Sequence, residues 1–248
     1  MDFHCPSVLD CDEHMNDSLS VREMFSAIAK RYDLANHLLS GGCDFLWRRR
    51  VAHAVATSVP SPQRILDLAT GSGDLALALA RACPEAEIIG ADFCPEMLAI
   101  ARAKGVAQTV EADAFALPFP DAAFDALTVG FGLRNMIPHD AALTEMARVL
   151  RDGGILAVLD FSMPTHLARP YRFYLHKILP HIAGVIAGSP DAYRYLGNSI
   201  ENFPRGQAML DLIERTGFSG AKVFSQTFGV ASLYIAHREP RHCSHCDG

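Results

Sequence analysis

No run of apolar residues in this 248-residue chain is long enough to span a bilayer as a helix, which excludes an integral helical membrane protein. An excess of positive charge is also lacking. Twenty-two Lys and Arg stand against 28 Asp and Glu, for a net charge of −6. A general nucleic-acid binder carries a basic face, so no nucleic-acid partner is expected. Residues 1–20 lack the apolar core of a secretory signal and are acidic and polar. The seven cysteines are scattered, which fits a reducing compartment and a cytoplasmic location. No internal repeat or low-complexity segment stands out. The one dense group of metal-ligating types, His242, Cys243, His245 and Cys246, is too crowded to wrap a single ion without help from Cys5, Cys11, His4 or His14. A loose tail is the plainer reading, and no metal is expected.

What is present is enough for one large α/β domain with a sizeable core: half of the residues are hydrophobic and a fifth are charged. The most informative stretch is Ile65-Leu66-Asp67-Leu68-Ala69-Thr70-Gly71-Ser72-Gly73-Asp74-Leu75. An apolar strand enters a glycine turn, and an Ala/Leu-rich helix leaves it. This arrangement presents a helix N-terminus to a nucleotide-like ligand. Gly71-x-Gly73-x-x-Ala76 also fits a dinucleotide fingerprint. Asp74 tilts the choice, because an acid there repels a pyrophosphate and attracts an ammonium or a sulfonium. S-adenosylmethionine (SAM) carries both cations and no phosphate. Ile88-Ile89-Gly90-Ala91-Asp92 reads as the next strand. Its terminal Asp92 falls nineteen positions after Gly73, close to the spacing at which an acid reaches ribose hydroxyls. The plainer role for Asp92 is that of an acid at a helix N-terminus.

The pattern then alternates: strand 64–69, helix 74–82, strand 87–91, helix 95–104, a short strand at 108–111, strand 124–130, helix 139–150, a turn at Asp152-Gly153-Gly154, and strand 155–160. Alternation of this kind predicts a mostly parallel sheet with helices on both faces. The candidates Thr70–Asp74, Asp92, Asp113 and Gly130–Asn135 all fall at carboxyl ends of strands, where such sheets bind ligands. A helix at 209–216 and two β-like runs, 221–228 and 231–236, suit a closing antiparallel pair. Residues 1–20 are expected to be a flexible arm and 239–248 a flexible tail, with a single domain over 21–238. Within it, 163–205 is rich in aromatics, Ile, Leu and Pro, and reads as a helical lid over the site.

The stretches from Leu66 to Asp74, Asp113-Ala114 with Leu117 to Asp121, and Arg148 to Gly154 resemble class I SAM-dependent methyltransferases. Tyr32-Asp33, Phe131-Gly132-Leu133-Arg134-Asn135, Tyr193-Arg194-Tyr195-Leu196 and Gly217-Phe218 narrow the resemblance to the ubiquinone/menaquinone biosynthesis C-methyltransferases. The resemblance implies a Rossmann-like, mostly parallel seven-stranded sheet with an antiparallel last strand. It implies SAM as cofactor and a lipid quinol as substrate. Carried onto these positions, Thr70, Gly71, Ser72, Gly73, Asp74, Asp92, Asp113, Ala114 and Gly130 would line the cofactor. Tyr32, Tyr193 and Tyr195 would meet the substrate. Ala35-Asn36-His37 stands where the family commonly has Met-Asn-Asp, so His37 replaces an acid. The Tyr-Arg-Tyr-Leu segment continues into Gly197-Asn198 rather than the more common Ala/Val-Glu.

Methyl transfer to an aromatic carbon needs an electron-rich ring and a group that takes or steadies a phenolic proton. Arg134 and Asn135, just past the fourth strand, are the expected catalytic pair. An Arg is a poor proton acceptor, so Asp33 and His37 are the expected partners. Plainer roles exist: Arg134 paired with Asp140, Asp33 as a helix-end residue, and the tyrosines as core. The aromatics of 163–205, mixed with Arg169, Arg172, Lys177 and Arg194, also suit transient contact with the inner face of a membrane. Self-association into a homo-oligomer is compatible with everything above. Three alternatives stay open: another small-molecule acceptor, an NAD-dependent oxidoreductase, and a non-catalytic subunit of a quinone-synthesis complex.

Overall fold

A computed structural model describes residues 40–164, 168–178 and 197–241. Helix α1 (Asp44–Ser58) leads into β1 (Arg64–Leu68), α2 (Asp74–Ala82), β2 (Glu87–Asp92), α3 (Pro95–Lys104) and β3 (Gln108–Glu111). Strand β4 (Phe124–Gly130), a single 3-10 turn (Leu133–Asn135), α4 (His139–Val149) and β5 (Leu150–Phe161) follow. The chain closes with α5 (Ala168–Phe173), a π turn (Tyr174–Ile178), α6 (Gln207–Arg215), β6 (Phe218–Gln226) and β7 (Ala231–Arg238). The seven strands form one sheet in the order β3-β2-β1-β4-β5-β7-β6. Only β7 runs against its neighbours. The crossover between the β1-β2-β3 half and the β4-β5 half opens a crevice at the carboxyl ends of β1 and β4.

Strand periodicity sorts the core into two layers. Ile65, Ala126, Ile155, Ala157 and Leu159 face Trp47, Val51 and Val55 of α1 and Leu75 and Leu79 of α2. Their sequence neighbours Leu66, Leu127, Leu156 and Val158 face Leu143 and Met146 of α4 and Met209, Leu212 and Ile213 of α6. The central strands are therefore buried on both faces, as a parallel sheet under helices requires. The same alternation puts Asp67, two residues after Ile65, on the α1–α2 side.

Helices α2 and α3 match their expected limits because each boundary is chemical. Gly73 caps α2 with a left-handed backbone, Pro95 opens α3, and Gly105 ends it. Asp152-Gly153-Gly154 is not a turn between α4 and β5, as the sequence suggested. The strand already begins at Leu150, and the pairing of β4 with β5 shifts register between Phe124 and Ala126. Gly153, at φ +74°, bends the bulged strand without breaking it. Strand β6 starts at Phe218, before the expected 221, with a register shift between Ser219 and Lys222. The tail expected to be loose from 239 is still held at Arg241, which donates to Asp121 at 3.0 Å and to the Arg148 carbonyl at 2.7 Å. The 163–205 segment is described only in part. There Leu175 and Ile200 are buried in the same layer as Trp47.

Candidate active site

The loop after β1 is shaped by close approach. A Cβ on Gly73 would stand 2.5 Å from Val106 Cγ2, and one on Gly132 would stand 2.6 Å from Ala69 Cβ. Both distances are shorter than real Cβ contacts. The first lets α2 pack onto the end of α3, and the second lets the loops after β1 and β4 abut. The two non-glycine residues on these loops with left-handed backbone are Ala69 (φ +52°) and Phe131 (φ +62°). Such conformations cost about 1–3 kcal/mol each, and they persist where surrounding packing over-determines them.

Between these loops lies a small, partly open cleft. Its lining combines Thr70, Gly71, Ser72, Asp74 and Gly130, all expected, with Arg48, Asp67 and Phe131, which were not singled out. Gly130 is half-buried, and a Cβ there would press on Leu75 Cδ2 at 3.1 Å.

Asp67 forms the floor. Its carboxylate accepts from Thr70 Oγ1 at 2.7 Å and from Thr128 Oγ1 at 2.6 Å. Burial pushes its pKa up to about 6, against the two hydroxyl bonds and the nearby Arg48 charge, which pull it down. The Thr70 hydroxyl is thus engaged by Asp67. The signal for Asp67 was an acid inside an otherwise apolar strand, a placement that needs partners.

Asp74 does not meet the cleft as a bare anion. Lys104, from the end of α3, donates to its Oδ1 at 2.7 Å and to Ser72 Oγ at 3.1 Å. Asp92 closes the end of β2. Its oxygens accept from the amides of Gly71 at 2.8 Å and Cys94 at 3.0 Å. Burial raises its pKa in spite of those bonds. The Phe93 amide adds a third backbone interaction, and the carboxylate's remaining acceptor capacity is available to a ligand hydroxyl. Asp113 is exposed and caps its own turn through the Phe115 amide at 3.0 Å, with Ala114 half-buried beside it.

Arg134 lies in the wall after β4 and is only 6% exposed. It donates to Asp160 Oδ1 at 2.8 Å and to the Phe131 carbonyl, while its amide reaches Asp160 Oδ2 at 3.2 Å. Its guanidinium stands 5.7 Å from the centre of the Phe161 ring. Asp160, at the end of β5 and fully buried, is the partner acid that the sequence reading missed, since nothing marks a pairing across 26 residues. Asn135 is half-buried on the same 3-10 turn. Phe131, Phe161 and Trp47 pack at centroid distances of 4.7 to 6.3 Å into an aromatic wall behind the cleft. The expected Tyr32, Asp33, His37, Tyr193 and Tyr195 lie outside the described residues, as does the His242–Cys246 group.

A cleft at the switch point, a glycine loop that a Cβ would obstruct, and acids where a cation would lie suit a SAM-dependent enzyme. The profile of the ubiE/COQ5 methyltransferase family matches residues 12–238. The chain belongs to that family. It is 50% identical over 222 residues to the demethylmenaquinone methyltransferase of Thermus thermophilus, covering 87% of this chain and 100% of that protein. It is 40% identical over 228 residues to the ubiquinone/menaquinone biosynthesis C-methyltransferase UbiE of Geobacter sulfurreducens, covering 88% of each. Among solved structures, a SAM-dependent methyltransferase from Thermotoga maritima superposes with a TM-score of 0.63 at 18% identity, covering 88% of this chain and 99% of that one. The phosphoethanolamine N-methyltransferase 2 of Haemonchus contortus, in complex with SAM, gives a TM-score of 0.58 at 15% identity over 84% of this chain and 56% of that one. At these identities the structures speak for the class I fold. The family makes this chain a SAM-dependent methyltransferase of quinone biosynthesis. The alternative of an NAD-dependent oxidoreductase falls with it.

Proposed function

We propose that this chain methylates a ring carbon of a polyprenyl quinol, with demethylmenaquinol as the acceptor. The identity to the Thermus demethylmenaquinone methyltransferase over that protein's whole length carries this reading. The cofactor, when bound, supplies an electrophilic methyl group on a sulfonium. Thr70 to Asp74, Asp92 and the Asp113–Ala114 turn would hold it, with Gly130 leaving room at the end of β4. The reaction is an in-line displacement, so most of the protein's work is alignment. Arg134, fixed by Asp160, sets a cation beside the aromatic wall of Phe131 and Phe161. A phenolate forming on the acceptor is stabilised by such a charge, and Asn135 adds a polar contact. Tyr32, Tyr193 and Tyr195 would pack the acceptor, and Asp33 or His37 would take its proton. The ring loses its own proton once the new carbon–carbon bond has formed.

Contact with a lipid surface belongs to the same proposal, because the acceptor is a lipid. It is supported by exposed apolar side chains next to exposed cations: Phe45 and Leu46 beside Arg49 and Arg50 on α1, and Phe173 beside Arg172 on α5. Phe228, 87% exposed, tips the β6–β7 turn, which Trp47 ties to α1 through Thr227 at 2.9 Å. No described helix is long and apolar enough to cross a membrane. The 163–205 segment would act as the lid.

The decisive assay gives the purified chain SAM and, in parallel, demethylmenaquinol and a methoxy-polyprenyl-benzoquinol in detergent. Mass spectrometry of the lipid extract should show a methylated naphthoquinone, with the benzoquinol turned over more slowly. A product from the benzoquinol alone moves the acceptor to the other quinone class. No product from either leaves the alternatives of another acceptor or a non-catalytic role.

A further inference from the structure

Arg48 has no role in the reading so far, yet its position in the cleft is unusual. It is 8% exposed and reaches the cleft from α1, with its guanidinium 5.6 Å from the centre of the Phe131 ring. Nη1 donates to Asp44. Among the described residues Nε and Nη2 donate to nothing. Opposite it, Asp74 presents the reverse case. Lys104 holds Oδ1, while the buried Oδ2 accepts no hydrogen bond. Arg48 Nη1 and Asp74 Oδ2 stand 3.9 Å apart, within ion-pair range but beyond a hydrogen bond. A cation with open donors and an anion with an open acceptor therefore face one cleft without satisfying each other. Leaving the buried Oδ2 of Asp74 in that state is costly unless a ligand completes it.

The complement of such a pair is an α-amino-acid head, which offers a carboxylate and an ammonium a few ångströms apart. Two cations, Arg48 and Lys104, stand among three acids, Asp44, Asp67 and Asp74. That balance disfavours a phosphate and favours a zwitterion attached to a further positive charge. We infer that Arg48 and Asp74 are the receptor for the amino-acid end of the cofactor, with Arg48 taking the carboxylate and Asp74 Oδ2 the ammonium. The inference rests on SAM being the cofactor. It adds which side chains read the amino-acid end, and it makes Arg48 a binding residue supplied from outside the glycine loop.

Three ligands separate the contacts by calorimetry: SAM, decarboxylated SAM (which keeps the ammonium) and 5′-methylthioadenosine (which lacks the whole amino-acid arm). The native chain should bind decarboxylated SAM roughly 10–100-fold more weakly than SAM, the size of a charge-assisted contact. Arg48→Met should lower SAM affinity to the level of decarboxylated SAM while leaving the other two ligands unchanged. Arg48→Lys should restore part of the loss. Asp74→Asn should weaken SAM and decarboxylated SAM alike and spare methylthioadenosine. Should Arg48→Met fail to fold, the native chain's preference between SAM and its decarboxylated form still decides. Equal affinity of the native chain for those two overturns the inference, as does an equal loss of all three ligands in a folded Arg48→Met. Failure of the native chain to bind any of the three overturns the cofactor assignment itself.

Discussion

Two buried arginines stand against the aromatic pair Phe131 and Phe161, one lining the cleft and one behind it, and they differ in how they are held. Arg48 comes from α1, faces the loop after β1, and keeps donors open toward the cleft. Arg134 follows β4; its Nη1 donates to Asp160 Oδ1 and to the Phe131 carbonyl, and its backbone amide donates to Asp160 Oδ2. Each is paired with a buried aspartate, and each lies near an aromatic ring. The first would receive a ligand on the proposed reading, and the second would hold a charge in place. On the proposed reading the β1 side of the crevice is the binding side, with the buried Asp74 Oδ2 open to a ligand. On the same reading the β4–β5 side supplies a fixed charge, the form expected where charge develops only in a transition state.

The largest expected effect comes from dismantling the wall. Arg134→Met should lower single-turnover methyl transfer by roughly 10²–10³-fold. SAM affinity should change by less than about threefold. Because Asp160 is left buried without its cation, urea denaturation should also show a stability loss of about 3–5 kcal/mol. Loss of SAM affinity with normal turnover of the bound enzyme would merge the two sides into one cofactor site.

The opposite signature is expected on the binding side. Asp92→Ala should weaken SAM by about 2–3 kcal/mol in calorimetry, through loss of charge-assisted bonds to the ribose and of the brace on the Gly71 amide. Turnover of the saturated enzyme should hold within a few-fold. Unchanged SAM affinity would take Asp92 out of the ribose site and leave it as a brace for the loop.

Gly132 joins the two sides. With a Cβ 2.6 Å from Ala69 Cβ, Gly132→Ala has to push the loops after β1 and β4 apart. Overpacking of this kind costs about 1–3 kcal/mol, and here it should reduce SAM affinity and turnover together. A variant that lost only one of the two would show that the sides move independently.

Much of this division was legible in the chain itself. The glycine loop, Pro95 and Gly105 mark element ends by local backbone chemistry, so α2 and α3 fell where the pattern put them. The positions of Thr70–Asp74 and Asp92 at strand ends were legible because these residues follow strands in sequence as well as in space. Asp160 and Arg48 were not. The Arg134–Asp160 pair joins the 3-10 turn after β4 to the end of the neighbouring strand β5, and periodicity carries no information about which charges will meet there. Arg48 stands in the run Trp47-Arg48-Arg49-Arg50, where only helical phase decides that Trp47 and Arg48 turn inward while Arg49 and Arg50 stay exposed. The glycines of β5 misled for a related reason: Gly153 and Gly154 read locally as a turn, and only the partner strand makes them a bulge.

The smallest predicted effect concerns the floor of the cleft. Asp67 has a pKa near 6 instead of 3.8, chiefly because burial disfavours its charge. For the free protein the sign follows from linkage. Between pH 4 and 6 the folded state holds a proton that the unfolded state has released. Stability from this group is therefore fully present below pH 3.8 and is lost, by about 3 kcal/mol in all, as pH rises through 6. Ligand binding runs the other way. A cationic ligand prefers the ionised carboxylate, so below pH 6 binding must first expel a proton. SAM affinity should therefore be nearly constant above pH 7 and fall by up to about tenfold at pH 5. The cofactor's sulfonium and ammonium do not titrate in this range, which leaves the protein as the source of the slope. Asp92, also raised by burial, can contribute as well. Asp67→Asn isolates one share: the part of the slope that vanishes belongs to Asp67, and the part that survives belongs to other groups, Asp92 among them. An unaltered slope in Asp67→Asn would remove Asp67 from the binding side and make it a buried support for Thr70 and Thr128 alone.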